Sequence, residues 1–317
     1  MNAKIPGYIS IRASTLVASR RLAMDLYLPV SGRPVRYAVS GDSVDAERLF
    51  RLKKFKQKKI WIHETQEQSY RTYLDEILDD AERNSKMKVE ERSEIVSSGA
   101  ELATEQIVER PEDKTTYLEG QSHFERFARF LQSCEGATEH LLKLSQSSQD
   151  EHVVHSARVA ALSSALATEW KLLTTPKLRT ALITGAFLHD FELERRKVSR
   201  RDPEALKPEE LVEWKKHPAE GARLLGDKDY VDQNVIEIVL QHEEFPNGSG
   251  FPRGLKGKEM NKLALVVSLV NRFELHTLRH PTDPKAALQS MMVNEMGRFE
   301  LSQLEDIKKQ VTKILGL

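Results

Sequence analysis

The spacing of apolar positions changes character along the chain. Near the start, Tyr8-Ile9-Ser10-Ile11 alternates, as a half-buried strand does. Met24-Asp25-Leu26-Tyr27-Leu28 alternates again, and so does Val35-Arg36-Tyr37-Ala38-Val39. Ser31-Gly32-Arg33-Pro34 between them is a turn signal, so 24–39 reads as a hairpin. Asp42 or Ser43 offers an N-cap for a helix over 44–55 with Val44, Leu49 and Leu52 inward. Ile60-Trp61-Ile62 returns as a short strand. Residues 1–64 therefore read as a small β-rich domain with one helix.

After residue 64 the period becomes helical. Tyr70, Tyr73, Leu74, Ile77 and Leu78 form an apolar stripe at spacings of three and four. Val89, Ile95, Leu102 and Ile107 continue it more sparsely, and Pro111 ends the run. Phe124, Phe127, Phe130 and Leu131 mark further helix, and Ser145–Gln149 is a polar break. Residues 65–149 read as a helical connector whose narrow stripe also suits a homodimer contact. From residue 150 to 317 the pattern is helical throughout. Helices are predicted from Val153 to Leu166, Leu178 to Leu188, Pro208 to His217, Pro218 to Gly226 and Asp232 to Leu240. A loop with several glycines and prolines covers 243–257, and helices follow at Leu263–Leu275, from Asp283, and over 300–315. The expected class is mainly α: an all-helical C-terminal domain behind a small N-terminal α+β domain.

Composition narrows the function only a little. In 317 residues, Lys+Arg and Asp+Glu are both 48, so there is no global basic field for DNA, RNA or a membrane surface. The basic run Arg51, Lys53, Lys54, Lys56, Lys58 and Lys59 lacks interleaved aromatics and reads as a solvated helix end. Cys134 is the single cysteine, and no apolar run is long enough to span a bilayer, so a cytoplasmic location is expected.

The chemistry lies in the histidines. Leu188-His189-Asp190 closes an apolar helix with an imidazole and a carboxylate side by side, which suit one cation or a bridge between two. His155, His217 and His242 each lie on or at the end of another predicted helix. Helical domains build metal sites in this way, from residues projected by facing helices. Glu151 and His155 share a helical face. One histidine on an apolar helix is an ordinary core residue, but four converging with an aspartate point to a metal site.

In family order, the segments Glu151-His152-Val153-Val154-His155-Ser156-Ala157-Arg158, Leu188-His189-Asp190, His217-Pro218-Ala219-Glu220-Gly221-Ala222 and His242-Glu243, with Gly248-Ser249-Gly250-Phe251-Pro252, resemble the HD-GYP family. This family comprises all-helical, metal-dependent phosphodiesterases that hydrolyse cyclic di-GMP in bacterial signalling. The resemblance covers about 150–285, and the first 64 residues resemble a small domain found ahead of such modules. It implies two divalent metal ions, iron in the first place or manganese, bridged by Asp190 as the catalytic residue. His155, His189 and Asn271 would complete one ion's ligands, and His217, His242 and Gln241 the other's. Phe251, Arg253 and Glu151 would serve substrate binding. The implied partners are a cyclic dinucleotide and a signalling protein.

The departures from the family pattern are chemical. Gln241 stands where a first histidine is expected, and Asn271 where an aspartate is expected. Glu192 and Leu193 replace a glycine and a lysine, and Phe251 replaces the namesake tyrosine. An arginine-proline-tyrosine-lysine stretch for substrate phosphate is replaced around His280-Pro281-Thr282-Asp283. Asn and Gln still offer a carbonyl oxygen but no charge. The missing cations would weaken transition-state stabilisation. The expected activity is therefore a slow cyclic di-GMP phosphodiesterase. The alternatives are a degenerate module that senses the nucleotide or a partner, and a phosphohydrolase of the wider HD class acting on another nucleotide.

Overall fold

The computed structural model describes residues 5–30, 32–55, 57, 59–144, 151–196, 198 and 203–317, without the side chains of 53 and 151–153. The polar break expected at Ser145–Gln149 lies outside the described residues. The chain divides into two compact units, Met1–Leu102 and Ala103–Leu317. The 65–149 stretch thus contributes helices to both.

The first unit holds β1 (Tyr8–Arg12), β2 (Leu26–Val30), β3 (Arg33–Ala38), α1 (Ala46–Lys54), β4 (Lys59–His63) and α2 (Glu67–Arg83). It also holds most of α3 (Val89–Glu109), which runs on into the second unit. The strands form one antiparallel sheet in the order β1-β4-β2-β3. Ile60, Trp61 and Ile62 of the interior strand β4 are all buried, so the sheet is covered on both faces there. Tyr70, Tyr73, Leu74, Ile77 and Leu78 of α2 are buried too. The Tyr70 hydroxyl lies 3.0 Å from Thr15 Oγ1, and the Val17 N–H donates to Tyr73 Oη at 3.2 Å. The stripe that suited a homodimer contact is thus covered within its own unit.

The second unit is helical. Its elements are α4 (Lys114–Ser133), α5 (Ala137–Lys143), α6 (Glu151–Glu169), α7 (Pro176–Leu188), α8 (Phe191–Arg195), α9 (Pro208–Trp214), α10 (His217–Gly226), α11 (Gln233–Gln241), α12 (Lys262–Arg279), α13 (Pro284–Asn294) and α14 (Leu301–Leu315). Side-chain caps start several of them. Thr175 accepts from Leu178 N, Asp232 from Asn234 N, and Asn261 from Leu263 N and Ala264 N. The short α8 was not foreseen, and His217 opens α10 instead of closing the helix before it.

Helix α7 packs between α6, α4 and α11, with Phe187 stacked 5.3 Å from Phe124 and edge-on to Phe127 at 5.0 Å. Gly185 is the close-approach point of α7 and α11. A Cβ there would stand 2.6 Å from Ile238 Cδ1. This contact lets two helices that carry histidines at their C-terminal ends lie side by side. Across the unit, Arg158 of α6 forms a bidentate buried pair with Glu274 of α12, at 2.7 and 3.0 Å. Its Nη1 also donates to the carbonyls of Leu142 and, at 3.0 Å, Leu144.

Candidate metal centre

Four histidines and one aspartate meet where these helices end. His155 comes from α6, His189 and Asp190 from the junction of α7 and α8, His217 from the start of α10 and His242 from the end of α11. All five are buried. They form two groups, His155–His189–Asp190 and Asp190–His217–His242, in each of which the ligand atoms lie within 4.8 Å of one another.

Asp190 divides its two oxygens between the groups. Oδ2 lies 3.2 Å from His189 Nε2 and 3.8 Å from His155 Nε2. Oδ1 lies 3.3 Å from His217 Nε2 and 3.4 Å from His242 Nε2. The backbone fixes three of the imidazoles. Nδ1 of His189, His217 and His242 donates to the carbonyls of Ala186, Trp214 and Val239, at 2.7, 2.7 and 2.9 Å. A carbonyl can only accept, so each Nδ1 carries the proton and, in the neutral ring, each Nε2 carries a lone pair.

That tautomer tests the metal reading. His217 Nε2 and His242 Nε2 stand 2.9 Å apart, and His155 Nε2 and His189 Nε2 3.0 Å apart. In the first pair two neutral rings would present acceptor to acceptor, which no hydrogen bond relieves. A shared cation does. Imidazoles and a carboxylate without a thiolate suit borderline first-row divalent metals. The donor set therefore fits.

The electrostatics favour an ionised Asp190 but do not hold every ring neutral. Burial alone would raise the Asp190 carboxyl, but the surrounding imidazoles hold it well below the usual carboxylate range. Burial pushes His189 down, so its ring stays neutral. For His242 burial acts in the same direction, but contact with the Asp190 carboxylate and the charge of Glu243 raise it overall.

The remaining expected residues are placed as follows. The Gln241 oxygen accepts from Asn261 N at 2.8 Å and its amide donates to Glu237. Asn271 is buried on α12 and donates from Nδ2 to Glu243 Oε1 at 3.1 Å. Glu151 opens α6 one turn before His155, and its side chain lies outside the described atoms. Phe251 sits in the 243–257 loop with its ring 5.8 Å from that of Trp214 and Lys215 Nζ 5.5 Å from its centre. Arg253 contributes its backbone N–H to Glu244 Oε1 at 2.6 Å.

Glu244 is a residue the sequence reasoning missed. Its buried carboxylate accepts from the N–H groups of Arg253, Gly254 and Leu255, which pins the loop from within. Its only signal in the sequence was a second acid after His242. Leu193, where the family pattern has lysine, is fully buried, and its neighbour Glu192 pairs with Arg195 at 2.6 Å.

Residues 144–300 match the HD domain model. The chain is 33% identical over 138 residues to cyclic di-GMP phosphodiesterase PA4108 of Pseudomonas aeruginosa, a match covering 42% of this chain and 32% of that protein. It is 33% identical over 133 residues to a cyclic di-GMP phosphodiesterase of Thermotoga maritima, covering 40% and 34%. The match thus spans about a third of the length of each relative. Among solved structures, Bd1817, a HDG"Y"P protein from Bdellovibrio bacteriovorus, superposes with a TM-score of 0.84 at 31% identity. That likeness covers 96% of this chain and 99% of the other. The chain belongs to the HD-GYP family. Among the described residues no helix is long and apolar enough to cross a membrane.

Proposed function

We propose that this protein is a metal-dependent phosphodiesterase that hydrolyses cyclic di-GMP slowly at a binuclear centre. The observation that carries the reading is the division of Asp190, with each carboxylate oxygen facing its own pair of imidazole nitrogens. The two cyclic di-GMP phosphodiesterases that align with the chain support the substrate.

In this reading His155, His189 and Asp190 hold one cation, with Asn271 contributing its amide oxygen. Asp190, His217 and His242 hold the other. Gln241 is left out, because its amide is committed elsewhere. The remaining residues would hold two divalent cations, iron or manganese, which when bound would supply charge neutralisation for the phosphodiester and a more acidic water. The protein orients its ligands through the three Nδ1–H donors and buries the site among helices. Phe251 offers a ring on which a base can stack, and in this reading Arg253 and Glu151 would contact the substrate. Neither Leu193 nor Glu192 provides a cation for the developing charge. Losing one such electrostatic partner costs roughly 3–4 kcal/mol, about 10²–10³ in rate.

The same buried Leu193 and paired Glu192 favour a second reading, a module that binds the nucleotide without cleaving it. One experiment separates the two. Metal-loaded protein is incubated with cyclic di-GMP, and the linear product is followed by chromatography. Product that disappears in Asp190→Ala supports the enzyme. Tight binding without product assigns a sensor, and neither binding nor product refutes the ligand assignment.

A further inference from the structure

Helices α7 and α11 end at the metal centre, and their other ends line a separate cavity. It has a volume of about 840 Å³, within the range of small-molecule sites, and α4 forms a further wall. Its mouth at Pro176 lies about 20 Å along α7 from His189, and its deepest lining residue on that helix, Thr184, about 7 Å.

Several features of the lining are those of a built site. Thr184 is buried at 1% exposure, and its hydroxyl, on the cavity side of α7, has no hydrogen-bond partner. The buried Tyr230 hydroxyl has none either. The N-termini of α7 and α11 both open here; the Asp232 carboxylate already caps α11, whereas α7 is capped by the uncharged Thr175 and its positive end favours an anion. Arg179, in the first turns of α7, meets only the side-chain oxygen of Gln132 and the Leu173 carbonyl, with no carboxylate among the described residues. The nearby Asp232 pairs with Lys177 at 3.2 Å. The rings of Tyr117 and Tyr230 stand 5.4 Å apart at one side, and Glu125 on α4 forms no ion pair among the described residues.

We propose that this cavity binds a phosphate-bearing nucleotide, away from the metal centre. Arg179 and the N-terminus of α7 take the phosphate, the tyrosine rings pack against the base, and Glu125 accepts from its N–H edge. A free phosphate would use the first of these features only.

Calorimetry with guanosine monophosphate and the full chain tests the assignment. A saturable single-site isotherm is expected. Arg179→Gln should weaken it by about tenfold or more, since a charge-assisted contact is lost, and metal content should stay at the wild-type value. Tyr230→Ala, at a half-exposed position, should also weaken binding, and it keeps the test in force if Arg179→Gln does not fold. Asp190→Ala should leave the isotherm unchanged. The proposal is overturned by absence of binding, by unchanged affinity in a folded Arg179→Gln or Tyr230→Ala, or by loss of binding in Asp190→Ala. Inorganic phosphate binding as tightly as the nucleotide would also overturn it, leaving a plain anion site.

Discussion

Asp190 is the residue on which both halves of the centre depend. Each of its oxygens faces a different histidine pair. Removing it should therefore have a different result from removing one histidine. In the proposed binuclear centre, Asp190→Ala should purify without stoichiometric metal, whereas His242→Ala should keep part of it. Elemental analysis of the two variants checks this, and equal metal loss in both would count against a bridging role. These five residues stand out in the sequence because a His-Asp pair and three further histidines fall on separate predicted helices, in the order of one family's segments. What could not be read was the direction of amides and acids. The Gln241 carbonyl oxygen accepts a backbone N–H at the start of α12, a contact that no local spacing announces. Glu274 lies 116 residues from Arg158, and nothing local announces that pairing.

At the scale of elements, the loop after α11 and the end of α13 carry the sharpest constraints. Gly250 passes so close to the preceding chain that a Cβ would stand 2.4 Å from Glu244 Cα and Phe245 N. Backbone atoms cannot rotate away, so Gly250→Ala should destabilise the protein by about 1–3 kcal/mol, the usual cost of overpacking. Thermal unfolding measures it, and an unchanged midpoint would contradict the contact. Glu295, just past α13, is buried against α12. It accepts from Arg272 at 2.6 and 3.0 Å, and lies 3.1 Å from His276 Nε2 and 3.2 Å from Arg298 Nη1. Burial alone would raise its carboxyl, but His276, Arg272 and Arg298 hold it down to about 2, against 4.5 for a free side chain. A depressed carboxyl stabilises the fold fully above the unfolded value, and that contribution disappears as pH falls from about 4.5 through 2. The shift corresponds to about 3 kcal/mol. Glu295→Gln should therefore be less stable at neutral pH and show a flatter loss of stability between pH 4.5 and 2. Parallel slopes for both proteins in acid unfolding would refute this role. The helices themselves were legible from period and caps, whereas α8 was not, since five residues give too few turns for a pattern.

For the whole molecule, the switch from alternating to helical period at residue 64 marked a real change of element type, and the compact units divide later, at Leu102 and Ala103. The reason is physical. Helix α2 buries its stripe within the first unit, and most of α3 folds there too, with Glu101 paired to Arg12 of β1 at 2.9 Å. Periodicity reports that a helix has an apolar face, but not which neighbour covers it. The five centre residues all lie between 155 and 242, within the second unit. We expect the two units to be separable and metal binding to reside wholly in the second. Protease should cut first in the exposed turns between helices, at 84–88 or 110–113, and not inside α3, whose hydrogen-bonded backbone spans the boundary. A cut at 110–113 leaves a fragment that contains every proposed ligand. Purified after such a cut, that fragment should hold as much metal per mole as the intact chain. Metal released on cleavage would show instead that the first unit is needed to keep the centre assembled.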